Sequence, residues 1–326
     1  MVGSPRGFVS CDWGTTSLRL RWVDAPLERV SEEVASQEGV RYAFDRANSR
    51  GGSRVEAYYD ILSAHLGRLE ERIGHSLKDA LVIASGMASS SLGIAELPYA
   101  SVPFSLTNDG PVHRVLDEPL SGGQRLVLLS GVRAEDDVMR GEETQLAGLH
   151  LRLGPGDGPT VYLLPGTHSK HAVVQGTTLV SFRTFLTGEL FEAVTAHTIL
   201  RESVRHPHPH TFSLEAFQDG VRAAAEQPLL HALFLGRSNT LFARLDPLEN
   251  YWFLSGVLIG GELLALKNTE YRIRLCAGGP LRPLYEAAAG VLGLSQRTEC
   301  VPAALVEESA AWGQLAFFRR MEGRPG

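Results

Sequence analysis

Five residues near the amino terminus, Asp12-Trp-Gly-Thr-Thr16, bring a carboxylate, a glycine and two hydroxyls into one turn. The apolar run of Phe8, Val9 and Cys11 ahead of them reads as a buried strand, and Ser17-Leu-Arg-Leu-Arg-Trp-Val23 behind them alternates with the period of a half-buried strand. The segment is therefore a hairpin. Gly14 lets a ligand approach the backbone, Thr15 and Thr16 set hydroxyls beside exposed N–H groups, and Asp12 ends the strand with a carboxylate. Donors beside one carboxylate suit a phosphate with its Mg²⁺. An ordinary hairpin with an Asp at its mouth has the same pattern, so the motif alone is weak.

A second copy strengthens it. Thr160-Val-Tyr-Leu-Leu164 is an apolar strand, Pro165-Gly-Thr-His-Ser169 another Gly-Thr turn, and His171-Ala-Val-Val174 a return strand, with Thr178-Leu-Val-Ser-Phe182 following. The first hairpin is likewise followed by a candidate strand from Glu32 to Gln37. Two such units about a domain apart point to a duplicated module, each turn gripping one end of a polyphosphate across a cleft: Gly14, Thr15 and Thr16 from one, Gly166, Thr167 and His168 from the other.

Other chemistry-bearing residues lie between and after these turns. Met139-Arg-Gly-Glu-Glu-Thr-Gln-Leu-Ala-Gly148 puts Glu142 and Glu143 at the start of a helix. Glu there caps a helix dipole, and a helix joining two lobes also borders their cleft, where a carboxylate can act as general base. Ser85-Gly-Met87 and the small residues Ala88 to Gly93 follow a buried strand, Leu81-Val-Ile-Ala84, where α/β sheets bind ligands. In Phe182-Arg-Thr-Phe-Leu-Thr-Gly-Glu-Leu190, Arg183 is the one cation, able to clamp a carboxylate by two parallel bonds, while Thr187 and Glu189 stand at the start of a helix expected over 190–200. Gly278 and Gly279, between the strand Arg272 to Ala277 and a helix, let a flat base or sugar lie against backbone. The segment His206-Pro-His-Pro-His210 lacks accompanying ligands and reads as a solvated loop rather than a metal site.

These residues need a frame. An amphipathic crossover helix is expected from Val55 to Ile73 after a loop at 48–53, with a strand at 125–129, mainly helix from Leu214 to Lys267, a strand from Leu294 to Val301 and a closing helix from Ala303 to Arg320. With 326 residues, 44% hydrophobic and 21% charged, the chain has the composition of a two-domain globular enzyme. A formal charge of -6 without a basic cluster argues against nucleic acid or an anionic membrane as partner. There is no apolar run of membrane-spanning length and no secretory signal, and the three cysteines fit core thiols, so a cytoplasmic enzyme is expected.

The combination DWGTTSLR, SGM after a buried strand, MRGEETQLAG, LPGTHSKH, FRTFLTGEL and FLSGVLIGGE, in that order from Asp12 to Glu262, resembles the 2-dehydro-3-deoxygalactonokinase family of the sugar kinase, actin and heat-shock ATPase superfamily. The resemblance implies an α/β fold with two ribonuclease-H-like lobes around an interdomain ATP cleft. Residues 1–150 would form the first lobe, with helix 303–322 packing back on it, and 151–302 the second. ATP and Mg²⁺ are the implied cofactors, with Asp12 holding the metal, the two Gly-Thr turns the phosphates, and Gly278 and Gly279 the adenosine. The implied reaction is transfer of the γ-phosphate to the 6-hydroxyl of 2-dehydro-3-deoxy-D-galactonate. Glu142 is the expected base and Glu143 the alternative; Arg183 first, then Arg140, with Met87, Thr187 and Glu189, are the expected sugar-acid contacts. A homodimer is left open. The stretch Ala88-Ser-Ser-Ser-Leu-Gly-Ile94 departs from the family's pattern beside the sugar pocket, which keeps a kinase for another 2-keto-3-deoxy sugar acid in play. A non-catalytic sugar-acid sensor and an actin-like polymer are the rivals outside that class.

Overall fold

The computed structural model describes residues 7–50, 53–107, 110–207 and 211–323, so His208 and His210 of the histidine-proline segment lie outside the described residues. The chain divides into two compact units, one of residues 1–155, 177–181 and 304–326, the other of residues 156–176 and 182–303.

In the first unit the strands Gly7–Trp13, Leu18–Asp24 and Arg29–Ser36 form an antiparallel meander. Leu81–Gly86 then pairs parallel to Gly7–Trp13, and Arg125–Leu129 parallel to Leu81–Gly86. Gly7–Trp13 is buried on both faces, which is why it reads as an apolar run rather than an alternation. Val9, Cys11 and Trp13 face the helix Arg54–Ile73 through Tyr58, Leu62 and Leu66. Phe8, Val127 and Leu129 instead meet Trp312, Leu315 and Phe318 of the helix Ser309–Met321.

The second unit repeats the plan. Thr160–Leu164, Ser169–Gln175 and Thr178–Phe185, the last divided at 181/182 between the two units, are the meander of its sheet, Arg272–Leu275 adds in parallel to Thr160–Leu164, and Thr298–Cys300 adds in parallel to that. Each sheet has a sixth, short strand at one end; the five strands named above, numbered in chain order, run 3-2-1-4-5 in both, the repeat that the duplicated hairpins led us to expect and the order of the ribonuclease-H-like lobes that the family resemblance implies. Helices Leu214–Glu226, Leu229–Leu241 and Pro247–Leu263 build one side of the second unit, and Leu281–Val291 follows its fourth strand. Asp246 caps Pro247–Leu263 through a capping box with Glu249. In FLSGVLIGGE, the glycines serve helix packing: a Cβ on Gly256 would lie 2.0 Å from the Phe217 carbonyl oxygen, and one on Gly260 2.9 Å from the Val221 Cα.

Several element boundaries differ from expectation. A helix, Val40–Arg50, occupies residues that include the start of the expected 48–53 loop. The helix expected over 190–200 begins at Thr187 and ends at His197. The strand expected from Leu294 is a short helical turn, Ser295–Arg297, followed by three extended residues. The closing helix is broken at Glu308, between Ala303–Glu307 and Ser309–Met321.

Candidate functional site

In the first unit the turn after Gly7–Trp13 is tied from behind. The Gly14 N–H donates to the Ser17 carbonyl at 2.9 Å, while the amides of Val40 and Arg41 donate to the carbonyls of Gly14 (2.9 Å) and Thr15 (3.1 Å). Gly39 makes that approach possible, since a Cβ there would lie 2.3 Å from the Thr15 oxygen. The start of helix Val40–Arg50 thus consumes the turn's carbonyls. Thr15 and Thr16 are left exposed on the other side with their hydroxyls and amides, the donors an anion needs. Sequence reasoning missed Gly39 and this helix, although Val40, Ala43 and Ala47 have helical spacing and are buried.

Three strand or helix ends converge beside this turn. Gly86 has φ 83° and a Cβ on it would meet the Trp13 carbonyl at 2.8 Å; Gly141 has φ 113° and its Cβ would meet the Gly86 Cα at 3.2 Å. Asp12, Gly86 and Gly141 are therefore neighbours, which brings Glu142 to Asp12. Burial pushes the Asp12 carboxyl up; Arg19 and Arg21 pull it down, and the Glu142 charge pushes it up again. A divalent cation would relieve both carboxylates. No group of three or more His, Cys, Asp or Glu placed to hold a metal occurs among the described residues. One carboxylate is nevertheless enough for Mg²⁺, which keeps most of its water and takes its remaining oxygens from phosphate.

Glu142 and Glu143 open the helix Glu142–Leu153 and point to different places. Glu142 is half-buried, its Oε2 accepting the Arg140 amide at 3.1 Å. Glu143 is buried, its Oε2 accepting the Gly141 amide at 2.8 Å and its Oε1 the Thr144 hydroxyl at 3.0 Å. Burial, then the charge of Glu142, pushes the Glu143 carboxyl up to about 7. That value would suit a base at neutral pH, but reach comes before pKa, and Glu143 is turned into the protein. The helix is held by the closing helix: a Cβ on Gly148 would lie 1.9 Å from the Ser309 carbonyl, and one on Gly313 1.9 Å from that of Thr144. Gln314 of the closing helix donates to the Cys11 carbonyl (3.0 Å) and the Ser85 hydroxyl (2.9 Å), clamping the strand that carries Asp12 to the one that ends just before Met87.

Arg140, an expected carboxylate contact, is engaged within the protein. Its guanidinium donates to the Ser89 carbonyl (2.6 Å), the Ser89 hydroxyl (2.7 Å) and the Leu97 carbonyl (3.3 Å), and it stacks 4.2 Å from the Tyr99 ring centroid. Met87 is half-buried against the core. Ala88, Ser89, Ser90, Gly93 and Ile94 are buried, so most of the stretch that departs from the family's pattern is interior, with Ser91 exposed.

In the second unit the turn at Gly166, Thr167 and His168 is braced by the start of helix Thr187–His197. A Cβ on Gly188 would lie 2.7 Å from the Gly166 carbonyl, the Glu189 amide donates to the Thr167 carbonyl at 3.0 Å, and His168 Nε2 is 2.6 Å from Glu189 Oε2. Thr187 donates to the buried carboxylate of Glu262. Gly188 and Glu189 thus fasten the second turn, while Thr187 beside them is tied to Glu262. Lys170, which sequence reasoning passed over, is buried and donates to the His168 carbonyl at 3.0 Å, placing a cation under the turn. Arg183 is exposed on the strand Thr178–Phe185.

Beside these residues the second unit has a pocket of about 250 Å³. Its walls are mainly apolar and aromatic, with Phe191, Tyr251, Trp252 and Leu281, and Thr187, Ser255 and Tyr285 add hydroxyls. Gly278 and Gly279 precede its Pro280–Leu281 edge, and nothing stands within 4 Å of a Cβ built on either glycine.

Known proteins give this arrangement a family. A profile of the 2-keto-3-deoxy-galactonokinase family matches residues 12–308. A Rhizobium meliloti protein assigned as a 2-dehydro-3-deoxygalactonokinase is 32% identical over 300 residues, 89% of this chain and 91% of its own. The Escherichia coli 2-dehydro-3-deoxygalactonokinase is 29% identical over 294 residues, 88% and 90% of the two chains. The crystal structure of a Sinorhizobium meliloti protein assigned the same activity superposes with a TM-score of 0.79 at 30% identity, covering 96% of each chain. Component A of an Acidaminococcus fermentans (R)-2-hydroxyglutaryl-CoA dehydratase shares the fold at 12% identity, with a TM-score of 0.51 over 98% and 99% of the chains. The match spans both hairpin turns, the two glutamates and the paired glycines, and the chain belongs to the 2-keto-3-deoxy-galactonokinase family.

Proposed function

We propose that the protein transfers the γ-phosphoryl group of ATP to the 6-hydroxyl of 2-dehydro-3-deoxy-D-galactonate, giving the 6-phosphate and ADP. The observation that carries this reading is the family match over nearly the whole chain together with Asp12 at the first Gly-Thr turn, near enough to Glu142 to feel its charge.

Phosphoryl transfer to an alcohol needs alignment, neutralised charge and an acceptor for one proton. Asp12 would hold Mg²⁺ through water, and the metal, when bound, neutralises charge on the phosphates. The amides and hydroxyls of Thr15 and Thr16 take one part of the polyphosphate, and the turn Gly166 to His168, with Lys170 beneath it, takes another. Adenosine enters the apolar pocket beside Gly278 and Gly279. Glu142 accepts the proton of the 6-hydroxyl as its oxygen forms a bond to the γ-phosphorus and the bond from that phosphorus to the ADP oxygen breaks. Glu143, held by Gly141 and Thr144, stays out of the proton transfer. Arg183 takes the sugar-acid carboxylate. Arg140, already bound to Ser89 and Leu97, holds the segment that follows Met87 instead of clamping the substrate.

The test is ADP release from ATP and Mg²⁺ by the purified protein, comparing 2-dehydro-3-deoxygalactonate, its gluconate epimer, simple hexoses and no sugar. Stimulation by the galactonate compound above all others is the expected result. Equal or greater stimulation by another acid would replace the substrate, and no stimulation by any of them would overturn the kinase reading.

A further inference from the structure

A buried carboxylate sets the direction of a run of hydrogen bonds beside the second unit's pocket. Glu262, near the end of helix Pro247–Leu263, takes the hydroxyls of Thr187 and Tyr285, the latter at 2.8 Å, on Oε2, and faces His171 Nε2 at 3.0 Å with Oε1. Its side chain is 1% exposed, so these partners stand in place of water. An ionised carboxylate only accepts, and a hydroxyl has a single proton to give. Thr187 and Tyr285 therefore both spend their protons on Glu262. Tyr285 must then accept from Ser169 Oγ, 3.1 Å away, and Ser169 accepts from the Gly166 amide at 3.4 Å. The chain of donors runs one way, from the second Gly-Thr turn to the carboxylate.

The consequence falls on the pocket wall. Thr187 lines the pocket with its hydroxyl proton committed to Glu262, so any hydrogen bond its Oγ1 makes to a ligand there is made as an acceptor. Its position is also defined: the adjacent Gly188 packs on Gly166 and Thr167 of the phosphate turn, while Phe191, one helical turn on, belongs to the aromatic wall. A ligand with a flat base in the aromatic part and phosphates at the turn has its sugar at Thr187. We propose that Thr187 accepts a hydrogen bond from a ribose hydroxyl of the nucleotide, and that Glu262 is the positioning residue that makes Thr187 an acceptor. The site is thereby selective for ribonucleoside over deoxyribonucleoside triphosphates. This rests on the reading that the nucleotide occupies this pocket.

The experiment compares kcat/KM for ATP, 2′-deoxy-ATP and 3′-deoxy-ATP at fixed Mg²⁺ and sugar acid. In the wild type at least one deoxy analogue should fall about 5- to 10-fold below ATP, the loss expected for one hydrogen bond. Thr187→Val should bring ATP down to the level of that analogue, and Thr187→Ser should restore the difference. Glu262→Gln can offer an amide donor to Thr187 and free the hydroxyl's proton; a ribose hydroxyl can also accept, so the discrimination should shrink rather than vanish while ATP is still turned over. A merely structural role for Glu262 would lower all three nucleotides together. Equal use of the three nucleotides by the wild type overturns the inference without any variant, so a misfolded Thr187→Val protein leaves it decidable; full discrimination in a folded Thr187→Val protein also overturns it. Ser255→Trp, which fills the pocket, separates the two levels. An unchanged KM for ATP in that variant removes the nucleotide from this pocket and takes both readings down, whereas a raised KM with equal use of the deoxy analogues overturns the ribose contact alone.

Discussion

The backbone N–H of Gly141 donates to Oε2 of Glu143 at 2.8 Å, and this bond gives two adjacent carboxylates different surroundings. It draws Glu143 into the protein and leaves Glu142, one residue earlier, half-buried beside Asp12. Glu142→Gln should therefore bind ATP and sugar acid with near-normal affinity and lose about 10²–10⁴ in kcat, the usual contribution of a general base. Steady-state kinetics with calorimetric titration of both substrates checks it, and wild-type turnover would remove Glu142 from the proton transfer.

Glu143 should appear in the pH dependence of stability. Its carboxyl is raised from 4.5 to about 7 by burial and by Glu142, so between those values the folded protein holds a proton that the unfolded chain has lost. The sign follows from linkage: this contribution is fully present below pH 4.5 and is lost as pH rises through 7. Its span is roughly 3 kcal/mol. Denaturant titrations at pH 5 and pH 8 should show Glu143→Gln gaining on the wild type at the higher pH; parallel curves would rule this out.

Gly188 has no room for a methyl group, because a Cβ would lie 2.7 Å from the Gly166 carbonyl and 2.8 Å from the Thr167 Cα. Gly188→Ala should push the second turn outward, raise the KM for ATP roughly tenfold or more and leave the KM for the sugar acid little changed. A variant with an unaltered KM for ATP would detach this turn from the nucleotide.

Arg183 can clamp a carboxylate with two parallel bonds, and an ammonium cannot reproduce that fork. Arg183→Lys should raise the KM for the sugar acid by about 10- to 100-fold, a loss in the range of a charge-assisted hydrogen bond, without touching the KM for ATP. An ATP-side effect instead would reassign the residue.

Gln314 is fully buried and joins the ends of two strands through one amide nitrogen. Gln314→Leu strips the Cys11 carbonyl and the Ser85 hydroxyl of a donor, and should cost about 1–3 kcal/mol in unfolding free energy. Chemical denaturation measures it, and an unchanged midpoint would show that these groups find other partners.

Sequence alone determined the strand-turn-strand repeats, because a glycine-containing turn between apolar strands is a local pattern that requires no knowledge of what packs against it. The same locality made the helix Arg54–Ile73 legible from its apolar spacing, and the motif order carried the family. The short helix Val40–Arg50 was hidden because Gly39 matters only through its contact with Thr15, a residue on another element. Arg140 and Arg183 look equally suited to a carboxylate in sequence; only folding decides that Ser89 and Leu97 claim Arg140 and that Arg183 remains exposed. The adjacent glutamates likewise have the same chemistry until Gly141 and Thr144 take Glu143 inward. Thr187 reads as a helix cap, yet its hydroxyl proton goes to Glu262, 75 positions away in the chain. Residue type and spacing set what each group can do, while burial and the direction of shared protons, which are properties of the packed structure, decide which of those things it does.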